Sequence, residues 1–96
     1  MPDYRLSPRA RRDLESIWDY TRQQWDADQA DHYTDMITAK FEALANAPFL
    51  APACDHIRKG YRRVMVERHM IYFRVTGRAV VIMRILHCQM DAARHL

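Results

Sequence analysis

Glycine and cysteine occur only twice each, and proline four times, in this chain of 96 residues. So little glycine and proline, with no repeats, excludes collagen-like, low-complexity and disordered architectures. Two cysteines, Cys54 and Cys88, are too few to staple a small exported domain and suit a reducing cytoplasm. No apolar run approaches the roughly 18 residues that a membrane span needs. Met1-Pro2-Asp3-Tyr4-Arg5 leads directly into patterned sequence, without the apolar stretch of an export signal. A phosphate-cradling glycine loop, a dinucleotide-binding turn, a nucleophile elbow and a two-histidine zinc helix are all missing. The only serines are Ser7, which suits a helix cap, and Ser16, on a charged helix flank; neither is a candidate nucleophile.

What is present is 49% hydrophobic and 28% charged, the balance of a folded chain with room for one domain over residues 1–96. A domain this small buries only about two-thirds of its unfolded surface, so its core is thin. The net charge of +3 is unevenly spread. Residues 1–50 hold six basic and nine acidic side chains (−3), whereas residues 51–96 hold nine basic and three acidic (+6). A basic half of this kind either meets an anionic partner or forms a solvated arginine-rich surface.

Tyr4-Arg5-Leu6 alternates as a short edge strand does. Ser7-Pro8 is a helix start, and Ala10, Leu14, Ile17/Trp18, Thr21 and Trp25 then recur at helical spacing, predicting a helix of about 18 residues. Asp26 with Gln29 has capping-box spacing for a second helix striped by Ala30, Tyr33, Ile37, Phe41 and Leu44 and ended before Pro48. So short a link makes the two helices an antiparallel hairpin. The period then falls to 2 over 61–67, 69–75 and 78–87, with Gly60 and Thr76-Gly77 as turn signals. Ile71, Phe73 and Val75 share one face of the middle strand; Met70, Tyr72 and Arg74 share the other. The resulting class is α+β in the order β-α-α-β-β-β, a helical hairpin packed on one face of an antiparallel sheet, with a short C-terminal tail. The second face, carrying Tyr72, Arg74, Val80, Ile82, Arg84 and Leu86, is expected to lie bare and to receive another chain.

Cys54, His56, His87 and Cys88 carry zinc-binding atoms, but their spacings set the side chains apart, so a buried or idle thiol is the default and no metal or cofactor is assigned. Arg62, Arg63, Arg74, Arg84 and His87 lie on neighbouring strands, where they either hold a phosphate for metal-free RNA cleavage or pair with acids such as Glu67. With no second acid–base residue, no catalytic residue is assigned. Trp18 and Trp25 share the first helix's stripe; core packing competes with a place at the hairpin's rim, anchoring a partner.

Tyr4-Arg5-Leu6-Ser7-Pro8-Arg9-Ala10, Asp13-Leu14, Ile17-Trp18, Gln29-Ala30-Asp31, Tyr33 and 57–63 (IRKGYRR) follow one another in order. His69-Met70-Ile71-Tyr72-Phe73-Arg74 and Ile85-Leu86-His87 with Met90-Asp91 complete the series. The chain thereby resembles ParE-type toxins of the ParE/RelE superfamily over nearly its whole length. The resemblance implies the toxin of a type II toxin–antitoxin module, neutralised by a ParD-type antitoxin and acting by inhibitory binding to DNA gyrase rather than by catalysis. The RelE branch, by contrast, cuts messenger RNA on the ribosome. It carries an aromatic or His-Tyr pair near the carboxy terminus, whereas here His87 precedes Cys88 and no tyrosine follows Tyr72. A RelE-like ribosome-dependent mRNA endonuclease, resting on the arginine cluster and His87, is the alternative reading. The antitoxin is expected on Leu14, Trp18 and Trp25 of the hairpin and on Arg58, Arg62, Arg74, Ile82 and Arg84. The tail from Asp91, small and charged, is expected to bury little; with His87 it is assigned to the target through Asp91, Arg94, His95 and Leu96. No membrane and no direct nucleic-acid contact is expected.

Overall fold

The computed structural model describes residues 3–77 and 79–96; Arg78, expected to open the last strand, lies outside the described residues with Met1 and Pro2. Its elements run β1 (Asp3–Leu6), α1 (Pro8–Gln24), α2 (Ala27–Asn46), β2 (Tyr61–Val66), β3 (His69–Thr76), β4 (Ala79–His87) and α3 (Ala92–His95). Ser7 Oγ accepts the Ala10 N–H at 3.0 Å and donates to the Met83 carbonyl at 2.8 Å, so one hydroxyl both caps α1 and ties it to β4. Asp26 accepts from Gln29 N–H at 2.7 Å and caps α2. Pro48 opens a 3-10 turn just beyond the end of α2. The apolar stripe of α1 ends sooner than the spacing suggests: Trp25 is the C-cap residue, at φ −130° and ψ −100°, and turns its ring to solvent.

The sheet order is β1-β4-β3-β2. β2, β3 and β4 form the expected antiparallel meander, but β1 pairs with β4 in parallel, Tyr4 opposite Val80 and Leu6 opposite Ile82, so the sheet is mixed. The hairpin lies on one face. Ala10, Ile17, Ile37, Phe41 and Leu44 pack there against Ile71, Phe73, Val80, Ile82 and Ile85.

A bulge decides which side chains reach that face. Tyr72 opposes Arg84, yet Phe73 opposes Ile82, leaving Met83 as an extra residue in β4. Strand alternation has period 2, so one inserted residue exchanges the faces beyond it. Val80 and Ile82 point to the hairpin before the bulge and Ile85 does so after it, while Leu86 joins Tyr72 on the other side. Ile82, assigned to the bare face and to the antitoxin, is instead completely buried, at 0% exposure.

The second face is not bare either. Tyr72 and Leu86 are 4% and 2% exposed. They are covered by Cys54 and Ile57 of the segment between α2 and β2, and by Ala92 and Leu96 of the tail. Regular elements alone cannot clothe both faces of so small a sheet, but two irregular segments can. Cys54 N–H donates to the Tyr61 carbonyl at 2.8 Å and Arg63 N–H to Pro52 at 3.2 Å, which fastens the first segment along the edge of β2. The tail forms a helical turn capped by Asp91, whose carboxylate accepts from Ala93 N–H at 3.2 Å. The expectation that it buries little is corrected accordingly. Among the described residues, no helix is long and apolar enough to cross a membrane.

Candidate functional site

A polar cluster of Tyr33, His69 and His87 lies where the C-terminal end of α1 and the first turns of α2 meet the β2–β3 turn. Arg68 N–H donates to Tyr33 Oη at 3.3 Å, and the Tyr33 hydroxyl is hydrogen-bonded to His69 Nδ1 at 2.7 Å. His87 accepts at Nδ1 from Gln89 N–H at 3.2 Å. The neutral His87 ring therefore carries its proton on Nε2. Their rings meet nearly edge-to-face at 5.3 Å between centroids, and Tyr33 lies at 5.5 Å from His69. Burial, followed by the neighbouring His87, lowers the His69 pKa from 6.5 to about 4, with Asp13 opposing the shift. Burial likewise raises the Tyr33 hydroxyl above its ordinary value. At neutral pH His69 is thus a neutral hydrogen-bonding ring.

Around this floor run two adjoining clefts of about 490 and 350 Å³ that share Tyr20, Thr21, His69 and His87. Trp25 lines the first, and Met90 the second. Trp25 is 77% exposed and Tyr20 65%, and Met90 is exposed too. Two large aromatic rings and a thioether in solvent beside a polar floor are the residue types that anchor a protein partner.

The other expected residues divide among several places. Leu14 and Trp18 line a shallow cleft of about 360 Å³ with Leu6 and Thr38; Trp18 is pinned there by donation from Nε1 to Asp31 at 2.8 Å. Arg58, Arg84, His95 and Leu96 border a separate cleft of about 420 Å³. Arg62 donates to the Ala51 carbonyl at 2.7 Å and lies 5.0 Å from the Phe49 ring, supporting the covering segment. Arg84 is committed as well: it grips Asp13 at 2.8 and 2.9 Å and donates to the His95 carbonyl at 2.7 Å. That grip raises its pKa further. Arg74 and Arg94 are exposed.

Of the arginines and histidine that suggested phosphate cleavage, Arg84 and His87 share the 350 Å³ cleft, but Arg84 is bound there to Asp13; Arg62 borders a different cleft and is bonded to the Ala51 carbonyl. Among the described residues, no group of three His, Cys, Asp or Glu side chains is placed to hold a metal ion. Cys54 is buried, which raises its thiol pKa, and Cys88 is exposed. Residue patterning missed Tyr20, Tyr33 and His69 as site residues, because a separation of 36 positions between Tyr33 and His69 leaves no local signal.

Comparisons with known proteins agree on one family. Residues 4–92 match the family described as the ParE toxin of the type II toxin–antitoxin system parDE. Toxin ParE1 of Mycobacterium tuberculosis is 40% identical over 94 residues, 97% of this chain and 96% of that one. Toxin ParE1 of Caulobacter vibrioides is 41% identical over 96 residues, covering 100% and 99%. Among solved structures, the chromosomal ParDE system from P. aeruginosa superposes with a TM-score of 0.81 over 91% of this chain and 96% of that chain; at 21% identity it shows a shared fold.

Proposed function

Since the chain belongs to the ParE toxin family of type II parDE toxin–antitoxin systems, we propose that a ParD-type antitoxin neutralises it by lying along the Trp25–Tyr20–Met90 groove. One observation carries the choice of groove: the exposed Trp25, Tyr20 and Met90 gather around the Tyr33–His69–His87 floor. An apolar stripe of the antitoxin buries these side chains, and its main-chain carbonyls accept from imidazole N–H groups on the floor. Exposed Arg74 is available to a carboxylate of the same partner. Freed of antitoxin, the toxin binds and inhibits DNA gyrase in the cytoplasm, a target that rests on family kinship alone. His87 and the exposed Arg94 are the residues proposed for that contact.

Co-purification with tagged antitoxin tests the groove. Trp25→Ala with Tyr20→Ala should weaken the complex by tenfold or more, the loss of about two anchor contacts, with the thermal transition unchanged. An unaltered dissociation constant would move the antitoxin elsewhere. Supercoiling by purified gyrase should fall as free toxin is added and recover with antitoxin; undiminished supercoiling at saturating toxin would remove gyrase as the target.

A further inference from the structure

The cleft at the other end of α1 has a different chemistry. Ser7, Pro8, Arg9 and Arg12 form one wall, Arg58 and Tyr61 another, and Met83, Arg84, His95 and Leu96 close it. It holds four arginines and a histidine, and no Asp or Glu side chain is in its lining. Arg84 is neutralised by Asp13, the one ion pair among the described residues. Arg9, Arg12 and Arg58 are exposed. Arg9 and Arg12 are three apart on α1 and share a helix face. Arg58 is held 5.5 Å from the Tyr61 ring, a stacked arrangement that orients the guanidinium while leaving its N–H groups available.

Three exposed guanidinium groups lining one cleft without a carboxylate beside them call for an anion, and the remaining lining identifies its kind. A polypeptide partner is anchored by large apolar side chains, with charges at the rim. None of the exposed large hydrophobic residues (Tyr4, Tyr20, Trp25, Phe49, Leu50, Met65, Met90) lines this cleft. Its own aromatic residue, Tyr61, is 6% exposed, so it offers no stacking surface for an unpaired base. Cations without anchors or stacking platforms are what a duplex phosphate backbone requires. We propose that Arg9, Arg12 and Arg58 form a sequence-independent binding site for the phosphodiester backbone of duplex DNA. This proposal runs against the expectation of no nucleic-acid contact and gives Arg58 to DNA rather than to the antitoxin. On α1, Arg12 and Tyr20 of the antitoxin groove are eight residues apart, about 12 Å of helix, and Arg84 lines both this cleft and the one beside Met90.

Anisotropy of a labelled 20-base-pair duplex, titrated with the purified chain, tests the proposal. Three neutralised phosphates give a slope of about −2.7 in log affinity against log salt, so binding should weaken about forty-fold between 50 and 200 mM salt. Changing the duplex sequence should not matter. Arg9→Ala, Arg12→Ala and Arg58→Ala combined should abolish most binding and flatten the slope, with the circular dichroism spectrum and thermal transition retained. A control combining Arg5→Ala, Arg11→Ala and Arg22→Ala, which removes the same charge elsewhere, should bind nearly as the parent does. Equal loss in both triple variants, or no duplex binding at 50 mM salt, overturns the site. So does tighter binding of a charge-matched polyglutamate peptide than of the duplex at the same salt, which would reassign the cleft to an acidic protein segment.

Discussion

Asp13 and Arg84, 71 positions apart in the chain, form a two-pronged ion pair with contacts of 2.8 and 2.9 Å that joins α1 to β4. The Asp13 carboxylate also accepts the Ile85 N–H at 2.9 Å, just past the bulge at Met83. This one carboxylate holds the strand where its ladder pairing slips. The two side chains are only 15% and 17% exposed, so neither is fully solvated when its partner is lost.

Asp13→Ala should therefore destabilise the fold by about 3 kcal/mol, leaving a half-buried guanidinium and a backbone N–H without their acceptor. Asp13→Asn, which keeps an acceptor for one of them, should cost less. Urea unfolding of the two variants checks both the sign and the order.

His69 makes stability depend on pH in one window. In the unfolded chain the ring protonates near 6.5, whereas burial in the native state delays this to about 4. Between these values the unfolded state binds more protons, so stability falls as pH drops from 6.5 towards 4. With the ring only half-buried, the loss across the window is about 2 kcal/mol. His69→Asn, which offers Tyr33 an acceptor that does not titrate, should flatten urea midpoints over this range relative to the parent chain.

The tail is a structural plug as well as a proposed target contact. Removing Arg94–Leu96 uncovers Tyr72 and Leu86 and takes from Arg84 its bond to the His95 carbonyl. The truncated chain should lose about 1–2 kcal/mol of stability. A toxicity assay on it therefore needs its melting temperature beside it. An unchanged melting temperature would show that the turn contributes nothing to the second core.

Ser7→Ala should cost about 1–2 kcal/mol, because the hydroxyl serves the cap of α1 and the Met83 carbonyl together. Ser7→Thr, which keeps the oxygen, should recover most of it in thermal melts.

The groove proposed for the antitoxin, the cleft proposed for DNA and the bulge are all long-range consequences of folding. Tyr33 and His69 are joined across 36 positions by a turn between β2 and β3, while Arg9, Arg12 and Arg58 meet only because the segment before β2 folds back under the sheet. The error over Ile82 has the same origin: alternation is a local rule, and one extra residue in β4, opposite a regular β3, reverses it.

By itself, the sequence determined the elements and their order. Ser7-Pro8 and Asp26 cap the helices, and helical and two-residue periods separate hairpin from sheet. The order of residues from Tyr4 to Asp91 determined the family. These signals are local, arising from caps, turns and the repeat of apolar side chains along a few turns or strands. Only the tertiary structure decided that β1 runs parallel to β4, that loop and tail clothe the second sheet face, and which arginines remain exposed. Those outcomes depend on competition among surfaces and partners distant in the chain. Burial favours whichever segment can cover an apolar face, whatever its regularity, and a charge stays free only where folding brings it no counter-charge.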